Sequence, residues 1–144
     1  MANIVPDSFK TDLLGGVFDF DSSGGSTFKL ALYTDISGFS TSTTAYTTTN
    51  EVSSSGTNYT AAGNTLTNNG VSIASNIGFV DFADLTFSSV TLTADSALIY
   101  KSGGSNEAVL VLDFGGDKTA TNGDFVIQFP AADSTNAIIR LGDA

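Results

Sequence analysis

The 144-residue chain contains no cysteine and no histidine, and only five basic residues. Each absence removes a class of chemistry. Without cysteine there is no disulfide framework and no thiolate nucleophile or ligand. Small secreted domains often carry such a framework, so its lack tilts the expectation toward a product made and assembled in the cytosol. Without histidine, neither a Ser-His-Asp nor a Cys-His relay can be built, nor a standard zinc site. The bases, Lys10, Lys29, Lys101, Lys118 and Arg140, are never adjacent, and they face 15 acids for a formal charge of −10. Binding to phosphates by counterion release needs clustered Lys and Arg, so nucleic acid is not an expected partner. The same sign argument excludes an anionic membrane surface. Such a charge fits a solubilised surface, or a protein that docks on a basic or neutral partner. No run approaches 18 apolar residues, and the opening segment Met1–Lys10 has neither a basic start nor an apolar core. A spanning helix and a signal peptide are therefore not expected.

Strong helix formers are also few, whereas eleven Phe, many Thr and Val, and fifteen Gly are present. That balance predicts an all-β domain of short strands joined by polar turns: a two-sheet antiparallel β-sandwich, jelly-roll-like. At this length a single domain is expected, large enough to bury roughly two thirds of its unfolded surface. Residues 96–129 organise it. Three apolar runs, Ala97–Tyr100, Ala108–Phe114 and Phe125–Phe129, are separated by Gly-bearing polar stretches and read as consecutive antiparallel strands. Val109–Leu112 is apolar at every position, which predicts a central strand covered on both faces. Earlier, Val17–Phe20 and Thr27–Thr34 read as a hairpin with Phe28, Leu30 and Leu32 on the core face. Val71–Ala74 and Ile77–Phe82 follow as a pair or one interrupted strand. Next come Asp84–Phe87 and then Val90–Thr93, with Val90 and Leu92 inward. Ala137–Leu141 closes the sheet.

Two regions depart from this pattern. Residues 1–16 read as an arm or short helix, capped by Asp7 or Ser8 and stopped by Gly15-Gly16. Phe9, Leu13 and Leu14 share one side of it, placed to plug one end of the sheets. The remainder, 17–144, is one sandwich domain interrupted by a long polar insertion at 35–70, in which Tyr46, Val52, Tyr59 and Leu66 are sparse anchors. It reads as an ordered surface loop, with reach to a neighbouring subunit as the functional alternative.

Several motifs imitate chemistry. Asp19-Phe-Asp21-Ser-Ser23-Gly24 opens like a calcium loop, but the position of the required bidentate acid falls on Leu30. Asp113-Phe-Gly115 spells the kinase magnesium triplet without any other kinase element. The pairs Asp81/Asp84 and Asp113/Asp117 have the composition of a carboxylate dyad, yet each lies beside a turn where Asp is expected for geometry alone. No catalytic residue, cofactor or metal is expected, and the chain does not read as an enzyme.

Several segments together resemble a family of small tailed-bacteriophage virion structural proteins. They include Phe28-Lys-Leu-Ala-Leu-Tyr-Thr34, Thr43-Thr-Ala-Tyr-Thr-Thr-Thr-Asn-Glu-Val52, Tyr59-Thr-Ala-Ala-Gly-Asn-Thr-Leu-Thr67 and Phe79-Val-Asp-Phe-Ala-Asp84. Ala108-Val-Leu-Val-Leu-Asp-Phe-Gly115 and Gly123-Asp-Phe-Val-Ile-Gln-Phe-Pro130 extend the resemblance over nearly the whole chain. It implies a particle protein made in the host bacterial cytoplasm. The reading favoured within it is a capsid decoration (cement) protein on the capsid exterior, with the major capsid protein and further copies of itself, as dimer or trimer, as partners. The alternative is a tail- or fibre-associated receptor-binding module. Phe9, Tyr46 and Tyr59 are the expected partner-contact residues.

Overall fold

The computed structural model describes residues 2–142. It is an all-β, two-sheet antiparallel structure with one short N-terminal helix, α1 (Asp7–Leu14). The strands are β1 (Phe28–Tyr33), β2 (Asn64–Thr65), β3 (Asn68–Ala74), β4 (Ile77–Phe82), β5 (Leu85–Lys101), β6 (Ala108–Ile127) and β7 (Ile139–Leu141). One sheet has the order β2-β1-β5-β6 and the other β3-β4-β7.

The expected run of short strands is replaced by two long ones. Leu85–Phe87, Val90–Thr93 and Ala97–Tyr100 are successive parts of β5, and Ala108–Phe114 and Phe125–Ile127 are parts of β6. Gly115-Gly116 and Asn122-Gly123 are not turns between strands. They are irregularities inside β6, where Gly115, Gly116 and Asn122 take positive φ. Ala94 pairs with Lys118 while Ser96 pairs with Asp113, so β6 advances five residues where β5 advances two. Such a bulge bends the strand without ending it. The four-strand order of the larger sheet also corrects the central strand. β5 has a strand on either side; β6 lies at the edge, where the N-terminal segment covers it through reciprocal Ile4–Val111 backbone hydrogen bonds of 2.9 Å. Val109 and Val111 are nonetheless fully buried.

Burial on both faces of β1, β5 and β6 arises from two cores. The larger one lies between the sheets and takes Phe28, Leu30, Leu32, Ile99 and Val109. The smaller one lies on the opposite face, where Ala31, Tyr33, Leu98, Tyr100 and Val111 meet Phe39 from the following loop. Thus Ala31 and Tyr33, on the side of β1 away from the expected core face, are buried too, because the insertion folds over them. Fully burying side chains of this size stabilises by roughly 1.5–3 kcal/mol each. In the larger core, rings of Phe9, Phe18, Phe20, Phe28, Phe82 and Phe129 contact in succession, with centroids 4.6–6.0 Å apart. Offset and edge-on contacts of this kind add about 0.5–1.5 kcal/mol per pair beyond area. They tie the helix to β1, β4 and the segment after β6.

Three further expectations change. Val17–Phe20 is not a strand; its contacts to the far side of the loop are Ser26 N–H to Asp19 O (2.8 Å) and Asp19 N–H to Ser26 Oγ (3.1 Å). Neither Asp7 nor Ser8 caps α1. Pro6 precedes it with no side-chain cap, and the helix start is held instead by Asp7 N–H to Thr41 O (2.8 Å) and Ser8 Oγ to Thr43 O (3.1 Å). Leu14 does not plug the sheets: Leu13 packs on the larger core, and one residue on, a helical step of about 100° turns Leu14 outward. Other expectations hold. Val71–Ala74 and Ile77–Phe82 are a paired hairpin, Val90 and Leu92 point inward, and β7 closes the smaller sheet against β4. No helix among the described residues is long and apolar enough to cross a membrane.

Candidate interaction site

The long insertion is anchored by one carboxylate. Glu51 lies beside Tyr33 through a backbone bridge, and its Oε2 accepts from Tyr46 Oη at 2.6 Å. Its Oε1 accepts from Tyr59 Oη at 2.8 Å and from Ala62 N–H at 2.6 Å. Tyr59 Oη in turn accepts from Leu32 N–H (3.0 Å), Tyr100 Oη donates to Ala62 O (2.7 Å) and Tyr33 Oη to Thr47 O (2.7 Å). Tyr46 stacks on Tyr100 with centroids 4.8 Å apart. All four tyrosines of the chain converge here. Burial raises the phenols of Tyr33, Tyr59 and Tyr46 well above the ordinary tyrosine value, and that of Tyr100 to about 12. Phenols held that high remain protonated donors. Their chemistry is to fasten the loop over β1 and β5.

The expected contact residues therefore lie within the chain's own packing. Phe9 is buried against Phe18 (5.1 Å) and Phe20 (6.4 Å), Tyr59 is buried against Phe87 (5.6 Å), and Tyr46 is half-buried in the Glu51 network. The structure brings Tyr46 and Tyr59 together on one carboxylate but leaves Phe9 in the Phe run. Sequence reasoning did not single out Glu51. Its signal was available: it is one of two glutamates and sits between the two anchor tyrosines.

Of the aspartates that resemble dyads, Asp81, Asp84 and Asp113 hold backbone. Asp84 Oδ1 accepts from Phe129 N–H at 2.8 Å, and Asp81 accepts from Phe82 N–H (2.8 Å) and Ile138 N–H (3.3 Å). Burial raises the Asp81 carboxyl above the usual range. Asp113 Oδ1 accepts from Gly115 N–H at 2.8 Å, a bond that lowers its pKa. Asp133, lowered chiefly by the Asn136 side chain, fixes the turn before β7. In the calcium-like loop, Asp19 Oδ1 accepts from Asp21 N–H at 3.0 Å. Among the described residues no three His, Cys, Asp or Glu side chains gather as a metal site would require. Thermal melts with and without excess chelator are expected to coincide; a large drop with chelator would assign a cation to Asp19 and Asp21.

Some apolar side chains also face outward. A groove of about 500 Å³ runs between α1, β6 and β7, lined by Val5, Leu13, Leu14, Ile139 and Leu141 together with Lys10 and Arg140. Leu14 is 85% exposed and Leu141 57%. On the other side of Arg140 lies a wider depression of about 800 Å³, lined by Phe114, Lys118, Asp124 and Val126. Two of the five bases line the first hollow and two the second, with Arg140 common to both. Contiguous exposed apolar surface of this kind marks a binding face more often than scattered single residues do.

Comparison with protein-family models, with curated proteins and with solved structures finds no match to this chain.

Proposed function

We propose that the protein is a phage virion structural component, most specifically a capsid decoration protein that bridges neighbouring capsomers. The observation that carries this reading is the apolar groove at Leu14 and Leu141 on an otherwise strongly acidic chain. It is supported by the family resemblance described from the sequence, and by an architecture suited to a staple. Two cores cover both faces of the larger sheet, and the insertion is fastened by Glu51. A body that is already ordered loses little conformational entropy when it docks.

The mechanism is linkage. A protein that binds the assembled shell and not its separated subunits stabilises the shell by mass action. In this reading the groove supplies the apolar contact, while the acidic remainder of the surface steers the protein toward basic capsid patches. The partners are the major capsid protein and other copies of the chain, at symmetric positions on the capsid exterior.

Particles assembled without the protein are expected to survive heat and osmotic shock less well, with adsorption to host cells unchanged. Leu14→Asp is expected to leave the isolated protein's stability within about 0.5 kcal/mol, as for exposed substitutions generally. It should nevertheless reduce the amount retained on purified particles. Normal particle stability combined with lost adsorption would reject the decoration role in favour of receptor binding.

A further inference from the structure

The smaller sheet ends in an open edge. In the order β3-β4-β7, β3 has a strand on one side only among the described residues. Natural edges are commonly blunted by charge, by proline or by a covering loop. Residues 52–80 carry no charged side chain and no proline, in a chain of formal charge −10. The loop at Ser22 covers only the start of β3: Asn68 Nδ2 donates to Phe20 O at 2.8 Å, and a Cβ on Gly70 would lie 3.2 Å from Ser22 Oγ. Beyond that point Val71–Ala74 are all exposed, Val71 at 60% and Ile73 at 76%.

The register determines what this edge offers. Two residues, Ser75 and Asn76, both at positive φ (52° and 63°), turn β3 into β4. In a two-residue hairpin of this form the flanking pair exchanges hydrogen bonds, and so does every second pair after it. Ala74 with Ile77 and Ser72 with Phe79 are those pairs. Val71 and Ile73 consequently aim their N–H and C=O groups at the open edge. Their side chains share the sheet face of buried Val80, which is paired with Val71.

We infer that a second copy of this chain occupies the β3 edge, forming a two-fold dimer centred on Ser72. The edge is self-complementary in the antiparallel sense. Val71 stands opposite Ile73 of the second copy and exchanges both backbone hydrogen bonds with it, while Ser72 stands opposite Ser72. The sheet becomes continuous across both molecules, and the exposed Val71 and Ile73 side chains cover one another. An isologous contact of this kind closes at two copies. Charge selects the occupant. Two chains of −10 repel, and approach is least opposed where neither presents a charge; a basic partner finds nothing at this edge to attract it. The inference deepens the self-association within the proposed function, yet it is tested on purified protein, so it stands or falls separately from the capsid role.

Ser72→Cys, in a chain otherwise free of cysteine, sets two thiols at a directly opposed, non-hydrogen-bonded pair. Cα atoms at such pairs are about 4.5 Å apart, within the roughly 4.4–6.8 Å that disulfides span. Mild oxidation is expected to convert it to a covalent dimer, while the exposed control Thr121→Cys stays largely monomeric. The unmodified protein should sediment at twice 14.8 kDa. Ile73→Asp, which changes a side chain exposed in the single chain, should keep its circular dichroism and melting while weakening the dimer roughly a hundredfold, as burying unpaired carboxylates requires. A monomer at every concentration, a trimer, or cross-linking of Ser72→Cys no faster than the control would each overturn the inference.

Discussion

Gly63→Ala is expected to leave little or no folded protein. Gly63 is buried between the insertion and β1 at a φ of +73°. A Cβ added there would lie 1.8 Å from Leu30 O and 2.5 Å from Leu30 C. Those atoms belong to a fully buried residue of β1, whose ladder to β5 runs through Leu30 and Ile99. Neither side can retreat without breaking sheet pairing. The left-handed conformation alone is worth about 1–2 kcal/mol against a non-glycine residue. The overlap raises the total beyond about 4 kcal/mol, the range reserved for severe backbone or core disruption. Since domains are stable by only about 5–15 kcal/mol in all, that loss is comparable to the whole. Gly56 provides the control. Its φ is also +73°, but nothing lies within 4 Å of its added Cβ. Gly56→Ala should therefore lose only the conformational part, about 1–2 kcal/mol. Soluble yield and urea unfolding of the two variants separate steric overlap from backbone strain; equal effects would show that the loop at Gly63 moves away freely.

Glu51→Ala should be the most damaging change to a charged side chain. It removes the acceptor of Tyr46 Oη, Tyr59 Oη and Ala62 N–H together. Hydrogen bonds to charged groups contribute about 1.5–3 kcal/mol each, and a buried donor left unpaired adds a similar penalty. The three bonds are not additive, because the site is half-buried and water can take up part of the lost pairing. A loss of about 3 kcal/mol follows. Glu51→Gln keeps one carbonyl acceptor and should lose about 1 kcal/mol. The urea midpoint should fall in that order with an unchanged slope, since the surface exposed on unfolding is the same. Hydrogen exchange in residues 46–62 should quicken before that of β5 and β6, as local opening precedes the global event. An effect of Glu51→Ala within about 0.5 kcal/mol would mean that the tyrosines find other partners and the carboxylate is not the anchor.

Gly63 meets Leu30 across a long sequence separation, and the same distinction divides what the residues alone announce from what the fold adds. Val109–Leu112, apolar at every position, announces burial on both faces. The alternation in Phe28, Leu30 and Leu32 announces a strand with a core face, and the Asp residues beside Gly and Ser announce turns held by their own carboxylates. These are local statements: periodicity and turn chemistry are written within a few residues. A long-range partner decides the rest. Gly115-Gly116 has the same composition whether it ends a strand or bulges one, because both need positive φ; the pairing of β6 with β5 makes it a bulge. Ala31 and Tyr33 are buried because the insertion folds over them, which alternation within β1 cannot foresee. Tyr46 and Tyr59 bond one glutamate, while Tyr33 and Tyr100 join the same cluster through Thr47 O and Ala62 O, from positions spread across the chain. Leu14 is exposed and Leu13 packed because the core lies on one side of α1, a direction that helical spacing does not contain. The open edge at Val71–Ala74 likewise exists only once β4 takes its place between β3 and β7, for an edge is a property of the sheet and not of the strand.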